Sequence, residues 1–404
     1  MRDINPLYLV KVEPGANNNK YYRMIPNGGI FDVQYGRIGT SGFQTTSYPM
    51  GKWDSTLKSK LKKGYEDQSR LVADTIVKEK KIKEYLDIQN QAIASIVARL
   101  QSMARQAIAD NYTISSNKVT QVMIDEAQLT LNNLMNTDTL ELFNKVLIEL
   151  FKIIPRKMKK VKDNLAKKVE DFGEIIQKEQ DLLDVMRGQV VQQSMEFSQE
   201  EEESEVKNNH TILDAMGLRF EEITESEKTL IKKELGEISD KFYSAWKVVN
   251  IKTQEKYDKF IKENDIKNRK LLFHGSRNEN WWSIINTGLV LRPSAVITGK
   301  MFGFGIYLSP SSRKSMGYTS IQGSYWVGGS SNSAFMSLYD VAYGKPYDVH
   351  SFDNMYHSFD YDKLQKHCQG AHCLHAHKGN MLRNDEIIVY KEDQLTIKYL
   401  IELR

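Results

Sequence analysis

The sequence predicts a multidomain chain: a small β-rich module, an all-α bundle, and an α+β domain at the C-terminal end. Three observations carry that prediction. Residues 5–66 read as short alternating runs broken by strong turn residues. Residues 71–262 switch to apolar positions three and four apart. From about residue 263 short strand-like runs and glycine-rich turns return. The length of 404 residues suits two or three cores, and no period of 20–50 residues marks a solenoid.

In the first module, Tyr8–Val12 and Tyr21–Ile25 are strand candidates, and Pro26-Asn27-Gly28-Gly29 is a turn. Phe31–Tyr35 alternates as a further strand, and residues 53–66 look helical. In the middle stretch, Ile93, Ile96, Val97, Leu100, Met103, Ala104 and Ala107 form one apolar helical face. Leu140, Phe143, Leu147, Leu150, Phe151 and Ile154 form another, opened by Asp138 and Glu141 at capping-box spacing and stopped by Pro155. A third helix covers Lys178 to Val191, and the acidic run Glu200–Glu203 reads as an exposed loop. These helices have one polar face each, so they should pack as a bundle. In the last stretch, Leu271–Phe273, Gly305–Leu308, Ala334–Ala342, Ile387–Tyr390 and Leu395–Leu403 read as strands of a largely antiparallel core.

The composition is globular, with 40% hydrophobic and 27% charged residues. There is no run of eighteen apolar residues and no secretory signal pattern at the first residues, so neither membrane insertion nor secretion is expected. Two cysteines offer no disulfide framework, which fits a reducing compartment. The net charge is only +4, but residues 1–70 carry eleven Lys/Arg against six Asp/Glu. Lys58, Lys60, Lys62 and Lys63 cluster there, and a second basic run spans Arg156 to Lys168. Such runs serve either as solvated helix faces or as a footprint for nucleic-acid phosphates, and charge alone leaves both readings open.

The residues with chemical content lie late in the chain. They are His274-Gly275-Ser276-Arg277, the stretch Gly299-Lys-Met-Phe-Gly-Phe-Gly-Ile-Tyr307, Lys314-Ser315 with Tyr318, and Asp385-Glu386-Ile-Ile-Val-Tyr390. Singly each has an ordinary reading: a structural histidine, a glycine turn, an exposed carboxylate. Together and in this order they resemble the catalytic domain of the poly(ADP-ribose) polymerases, with its His–Tyr–Glu triad. The resemblance continues upstream. Residues 90–262 are similar to that family's helical regulatory domain, for instance at Gln180–Met186 and Leu213–Glu227. Gln34-Tyr35-Gly36-Arg37-Ile38-Gly39 resembles the signature of its WGR module, with Tyr35 where the family has Trp. The implied organisation is a WGR-like module at 1–70, a helical linker at 71–89, a regulatory domain at 90–262 and an ADP-ribosyltransferase domain at 263–404.

The resemblance implies NAD as substrate and no metal requirement. Glu386, His274 and Tyr307 would be the catalytic residues, and Gly275, Ser276, Arg292, Lys314, Ser315 and Tyr318 would join His274 and Tyr307 in binding NAD. Gly275 lets its backbone approach the nicotinamide carboxamide, and Ser315 offers a hydroxyl to the same group. Tyr318 and Tyr307 would flank the nicotinamide ring, and His274 would bond the adenosine ribose. Glu386 would stabilise oxocarbenium character on the ribose as nicotinamide leaves. Tyr35, Arg37 and Lys52 would contact nucleic acid, with Tyr35 stacking on a sugar or base and Arg37 reaching phosphate or bridging to neighbouring domains. The implied function is DNA-break-responsive poly(ADP-ribosyl) transfer to protein acceptors, including the enzyme itself, with the helical domain restraining NAD access until DNA loosens it. A mono-transferase or NAD glycohydrolase, and a DNA-end-binding scaffold with a silent site, are the alternatives. The compartment would be nuclear in a eukaryote and otherwise cytoplasmic or nucleoid. The crowded His367, Cys368, His372, Cys373, His375 and His377 match no standard zinc-finger spacing, so a surface loop is the preferred reading there.

Overall fold

The computed structural model describes residues 4–40, 42–69, 85–112, 119–196, 210–291, 301–322, 329–379 and 382–404. Arg292, Gly299 and the acidic run 200–203 lie outside these residues. The chain divides into two compact units, one of residues 1–81 and 105–193, the other of 82–104 and 194–404.

The first unit opens with five strands: β1 (Leu7–Glu13), β2 (Asn18–Asn27), β3 (Ile30–Arg37), β4 (Gln44–Pro49) and β5 (Glu66–Asp67), ordered β4-β3-β2-β1-β5. Asn17 takes the left-handed conformation (φ 50°) at the β1–β2 turn, a region that Asn tolerates better than most residues. Helix α1 (Trp53–Lys62) lays Trp53 against Phe31, ring centroids 5.1 Å apart and nearly perpendicular, and both join Leu9, Met24 and Val33 in the core.

The division between units falls within helix α2 (Gln91–Asn111). Helices α3 (Gln121–Met135), α4 (Leu140–Ile153) and α5 (Phe172–Glu196) follow. The α4 cap differs from expectation. Thr139, not Asp138, accepts from the Leu142 amide, since a cap must stand one residue before the first helical turn. Phe143, Leu147, Leu150 and Phe151 are buried as the spacing requires. Inside this unit Arg156 and Glu179 form a buried ion pair, 3.1 Å apart.

The second unit corrects the expectation that residues 90–262 are all helical. After the short helix α6 (Ile212–Met216) comes β6 (Leu218–Glu222), then α7 (Glu225–Leu235), β7 (Phe242–Asn250) and α8 (Ile251–Glu263). Strand β7 pairs with the last strand of the chain. The C-terminal domain therefore recruits strands from well before residue 263. Strands β8 (Lys270–Gly275), β10 (Ala334–Val341) and β14 (Leu395–Leu403) complete an antiparallel sheet ordered β6-β7-β14-β10-β8. A second sheet, β11-β12-β13-β9, is made of β9 (Ile306–Leu308), β11 (Pro346–Val349), β12 (Cys373–Ala376) and β13 (Glu386–Val389). A bridge between Phe273 and Ser309 joins β8 to the end of β9, so the sheets meet along one seam. Helices α9 (Trp281–Thr287), α10 (Ser312–Met316) and α11 (Tyr361–His367) pack around them. The stretch 367–377 is not a surface loop: His367 ends α11, and all four residues of β12 are buried. Among the described residues no helix is long and apolar enough to cross a membrane.

Candidate active site

The seam gathers the residues singled out in the sequence. His274 lies near the end of β8, and its Nδ1 is 3.2 Å from the Tyr307 carbonyl on β9. With Nδ1–H donating to that carbonyl, Nε2 is the acceptor nitrogen of the neutral ring. Trp281 and Tyr339 stand edge-on to the imidazole at 6.4 and 6.3 Å. Tyr307 accepts at its hydroxyl from the Phe302 amide (2.8 Å) and donates to the Gly303 carbonyl (3.1 Å). Burial pushes this phenol's pKa up, so it stays protonated. The loop that holds it needs Gly303: φ is +72°, and a Cβ there would come within 2.1 Å of the Phe359 carbonyl oxygen.

Gly275 closes β8 against α10. A Cβ at Gly275 would stand 1.9 Å from the Ser315 carbonyl oxygen, so only glycine permits this approach. The same carbonyl accepts from the Tyr318 amide at 3.1 Å, which ties Gly275, Ser315 and Tyr318 into one local construction. Ser315 is buried, while Tyr318 is 38% exposed. Ser276 accepts from Asn280 Nδ2 at 3.0 Å, which ties the end of β8 to the residue just before α9.

Glu386 begins β13 and is 8% exposed. Its strand pairs with β9, with Ile388 opposite Tyr307. Its Oε1 accepts from Nζ of Lys314, and Oε2 is buried with no hydrogen-bond partner among the described residues. Burial pulls the Lys314 ammonium pKa down to about 8, against an upward pull from Asp385. The sequence places Lys314 among the NAD-binding residues and carries no sign of this pairing. A lysine four residues before a motif tyrosine offers no sign that it will meet a glutamate from another sheet strand. Asp385, beside Glu386 in the sequence, is also engaged. It accepts from the Lys378 amide (2.7 Å) and faces His375 Nε2 (3.3 Å).

The residues expected to meet nucleic acid, Tyr35, Arg37 and Lys52, lie in the first unit. Arg37 spends its guanidinium on carbonyls: Asn17 (2.7 Å), Met158 (3.2 Å) and Lys159 (2.8 Å). It thereby takes the bridging role, joining the β module to the loop after α4. Tyr35 is half-buried against Tyr22, centroids 5.7 Å apart, with the Lys60 ammonium 5.9 Å from its ring. Lys52 stands exposed just ahead of α1.

Comparison with known proteins matches two parts of this chain to family models. A model of the poly(ADP-ribose) polymerase catalytic domain matches residues 221–404, starting inside β6. A WGR domain model matches residues 5–72. A putative poly [ADP-ribose] polymerase-like protein, 100L of Invertebrate iridescent virus 6, is 33% identical over 168 residues, covering 41% of this chain and 87% of that protein. The uncharacterized protein 101L of the same virus is 34% identical over 178 residues, covering 43% of this chain and 73% of that one. Poly [ADP-ribose] polymerase 2 of Homo sapiens is 42% identical over 82 residues, 20% of this chain and 13% of the human protein.

Proposed function

This chain belongs to the poly(ADP-ribose) polymerase family, and on that premise we propose that it is a DNA-break-responsive enzyme that cleaves NAD and transfers ADP-ribose to protein and to growing ADP-ribose chains. The observation that carries the reading is the buried Glu386 carboxylate, held by Lys314 on a strand directly paired with the one bearing Tyr307. In the reaction the bond between nicotinamide and ribose C1′ breaks and its electron pair leaves with neutral nicotinamide. The acceptor's nucleophile then attacks C1′ and gives up its proton. Positive charge builds on the ribose between these events, and a carboxylate fixed in a nearly dry site stabilises it more than water would. Gly275 and Ser315 would receive the carboxamide, and Tyr318 would stack on the nicotinamide ring. His274 would bond the adenosine ribose through Nε2. Ser276, whose hydroxyl accepts from Asn280, would join His274 in binding NAD.

DNA responsiveness rests on the WGR match and on the basic surface of α1, where Lys58, Lys62 and Lys63 are exposed. The helices of the first unit would restrain turnover until DNA loosens them. Removing residues 90–262 would not test this, because β6 and β7 belong to the C-terminal sheet. The test is incubation of the full chain with labelled NAD, with and without a short broken duplex, beside Glu386→Gln. A DNA-stimulated ladder of modified protein that collapses in the variant supports the whole reading. Single additions support the mono-transferase alternative, free nicotinamide without labelling the glycohydrolase, and no turnover the scaffold.

A further inference from the structure

Strands β11 and β12 run parallel, with Asp348 in register opposite His375. Residues two apart on a strand share a face, so His350 follows Asp348 and His377 follows His375. The His377 amide donates to the Val349 carbonyl at 2.9 Å and carries the ladder one step further. The patterns Asp-x-His and His-x-His thus run off the ends of two neighbouring strands. Ligand atoms of Asp348, His375 and His377 already lie within 4.8 Å of one another. His377 Nε2 is 2.7 Å from Asp348 Oδ1, and His375 Nδ1 is 3.8 Å from the same oxygen. Ligands of a tetrahedral zinc ion lie roughly 3.3 Å apart, given metal–ligand bonds of about 2.0–2.1 Å, and these separations straddle that value.

The surroundings of His375 suit a ligand. Its Nε2 faces Asp385 Oδ2 at 3.3 Å, and that carboxylate is itself held by the Lys378 amide. A carboxylate on the far nitrogen fixes the proton there and leaves the lone pair on Nδ1, the usual arrangement behind a metal-bound imidazole. The Tyr343 hydroxyl now donates to Nδ1 at 2.8 Å and would yield that lone pair to an ion. The three rings are stacked, His375 on His377 at 3.9 Å and His377 on His350 at 4.4 Å. Two imidazoles on one ion must point their lone pairs together, so His377 has to turn out of the stack. Its side chain is 28% exposed and stands just past the end of β12, which leaves room for that rotation.

We propose that Asp348, His375 and His377 form a zinc-type divalent metal site, with a water as the fourth ligand. Imidazole and carboxylate donors in four-coordinate geometry suit Zn²⁺ before the harder cations. The cysteines of the same stretch are not required, and Cys373 Sγ is engaged with the Tyr343 carbonyl. The ion would be structural, clamping the edge strand β11 to β12; NAD cleavage does not pass through it.

The test uses the full chain after chelator treatment and dialysis. Calorimetric titration with Zn²⁺ should give one ion per chain with Kd at or below about 1 μM, and Co²⁺ should give the visible absorption of a four-coordinate site. Zn²⁺ should raise the melting temperature. Asp348→Asn and His377→Gln, at partly exposed positions that should tolerate substitution, should each weaken binding at least about tenfold and abolish the melting shift. His357→Gln, outside the cluster, should change neither. Absence of stoichiometric uptake by the unaltered chain, or uptake that survives both cluster substitutions, would overturn the proposal.

Discussion

Lys314 on α10 donates to one oxygen of Glu386 on β13, while the other oxygen of that carboxylate is buried without a hydrogen-bond partner among the described residues. Such a group is costly to keep dry unless charge near it is useful. A cation forming at the ribose supplies that use. Glu386→Gln keeps the shape and removes the charge. It should lower NAD cleavage by about 10²–10³, equivalent to roughly 3–4 kcal/mol of transition-state stabilisation. Nicotinamide release measures this, and an unchanged rate would remove Glu386 from the chemistry.

Lys314 should give the reaction a pH dependence. Burial sets its pKa near about 8, below its ordinary 10.5. Below that value the ammonium neutralises Glu386; above it the carboxylate charge is released. The rate of NAD cleavage should therefore rise as pH increases through about 8, and the rise should vanish in Lys314→Met. The stability effect has the same sign. Between about 8 and 10.5 the unfolded chain holds this proton and the folded one does not, so this group's destabilising effect is relieved as pH rises through that window. Thermal melting from pH 7 to 10 would show whether Lys314→Met flattens that slope.

Gly275→Ala forces a methyl group onto the Ser315 carbonyl, which must then move together with the Tyr318 amide it accepts from. Displacing binding groups by an ångström can cost on the order of 10²-fold. The KM for NAD should rise by at least about tenfold, with a smaller change in kcat. Gly379→Ala is the control, since a Cβ there meets nothing within 4 Å. Equal behaviour of the two variants would separate Gly275 from the NAD site.

Much of the fold was legible because alternation and helical spacing survive in single segments. The strands at 271–273, 334–342 and 395–403 were found within a few residues of their observed limits. What failed was information carried by partners distant in sequence. Phe242–Asn250 is rich in aromatic and β-branched residues, a usable strand signal, but its pairing with β14 decides it and no local pattern states that. At α4, Asp138 and Thr139 are both cap-type residues, and only the start of the first turn chooses between them. In the site, the motif residues were recognisable as a set. The Lys314–Glu386 pair was not, because it exists only where two elements meet.

Leu147 tests the restraint attributed to the helices. It is fully buried on α4, and Leu147→Ala should cost about 2–5 kcal/mol within the first unit. If these helices hold turnover in check, the DNA-independent rate should rise severalfold as the melting temperature falls. A lower melting temperature with an unchanged DNA-free rate would sink the restraint and leave the catalytic proposal standing.

Arg37 and Lys52 should separate architecture from nucleic-acid contact. Arg37 donates to the Asn17, Met158 and Lys159 carbonyls and to Asn17 Oδ1, so Arg37→Ala leaves several acceptors unmatched. Its partial exposure lets water replace some of these bonds, and a loss of about 1–3 kcal/mol is expected. Lys52 is exposed and its removal should leave melting unchanged. If it contacts a phosphate, Lys52→Ala should weaken binding to every duplex alike and reduce the salt dependence of the affinity by about one counterion. Melting curves together with DNA titrations at several salt concentrations distinguish the two residues. A Lys52→Ala variant that binds with an unchanged salt slope would remove this lysine from the interface, and the exposed lysines of α1 would then be the next to examine.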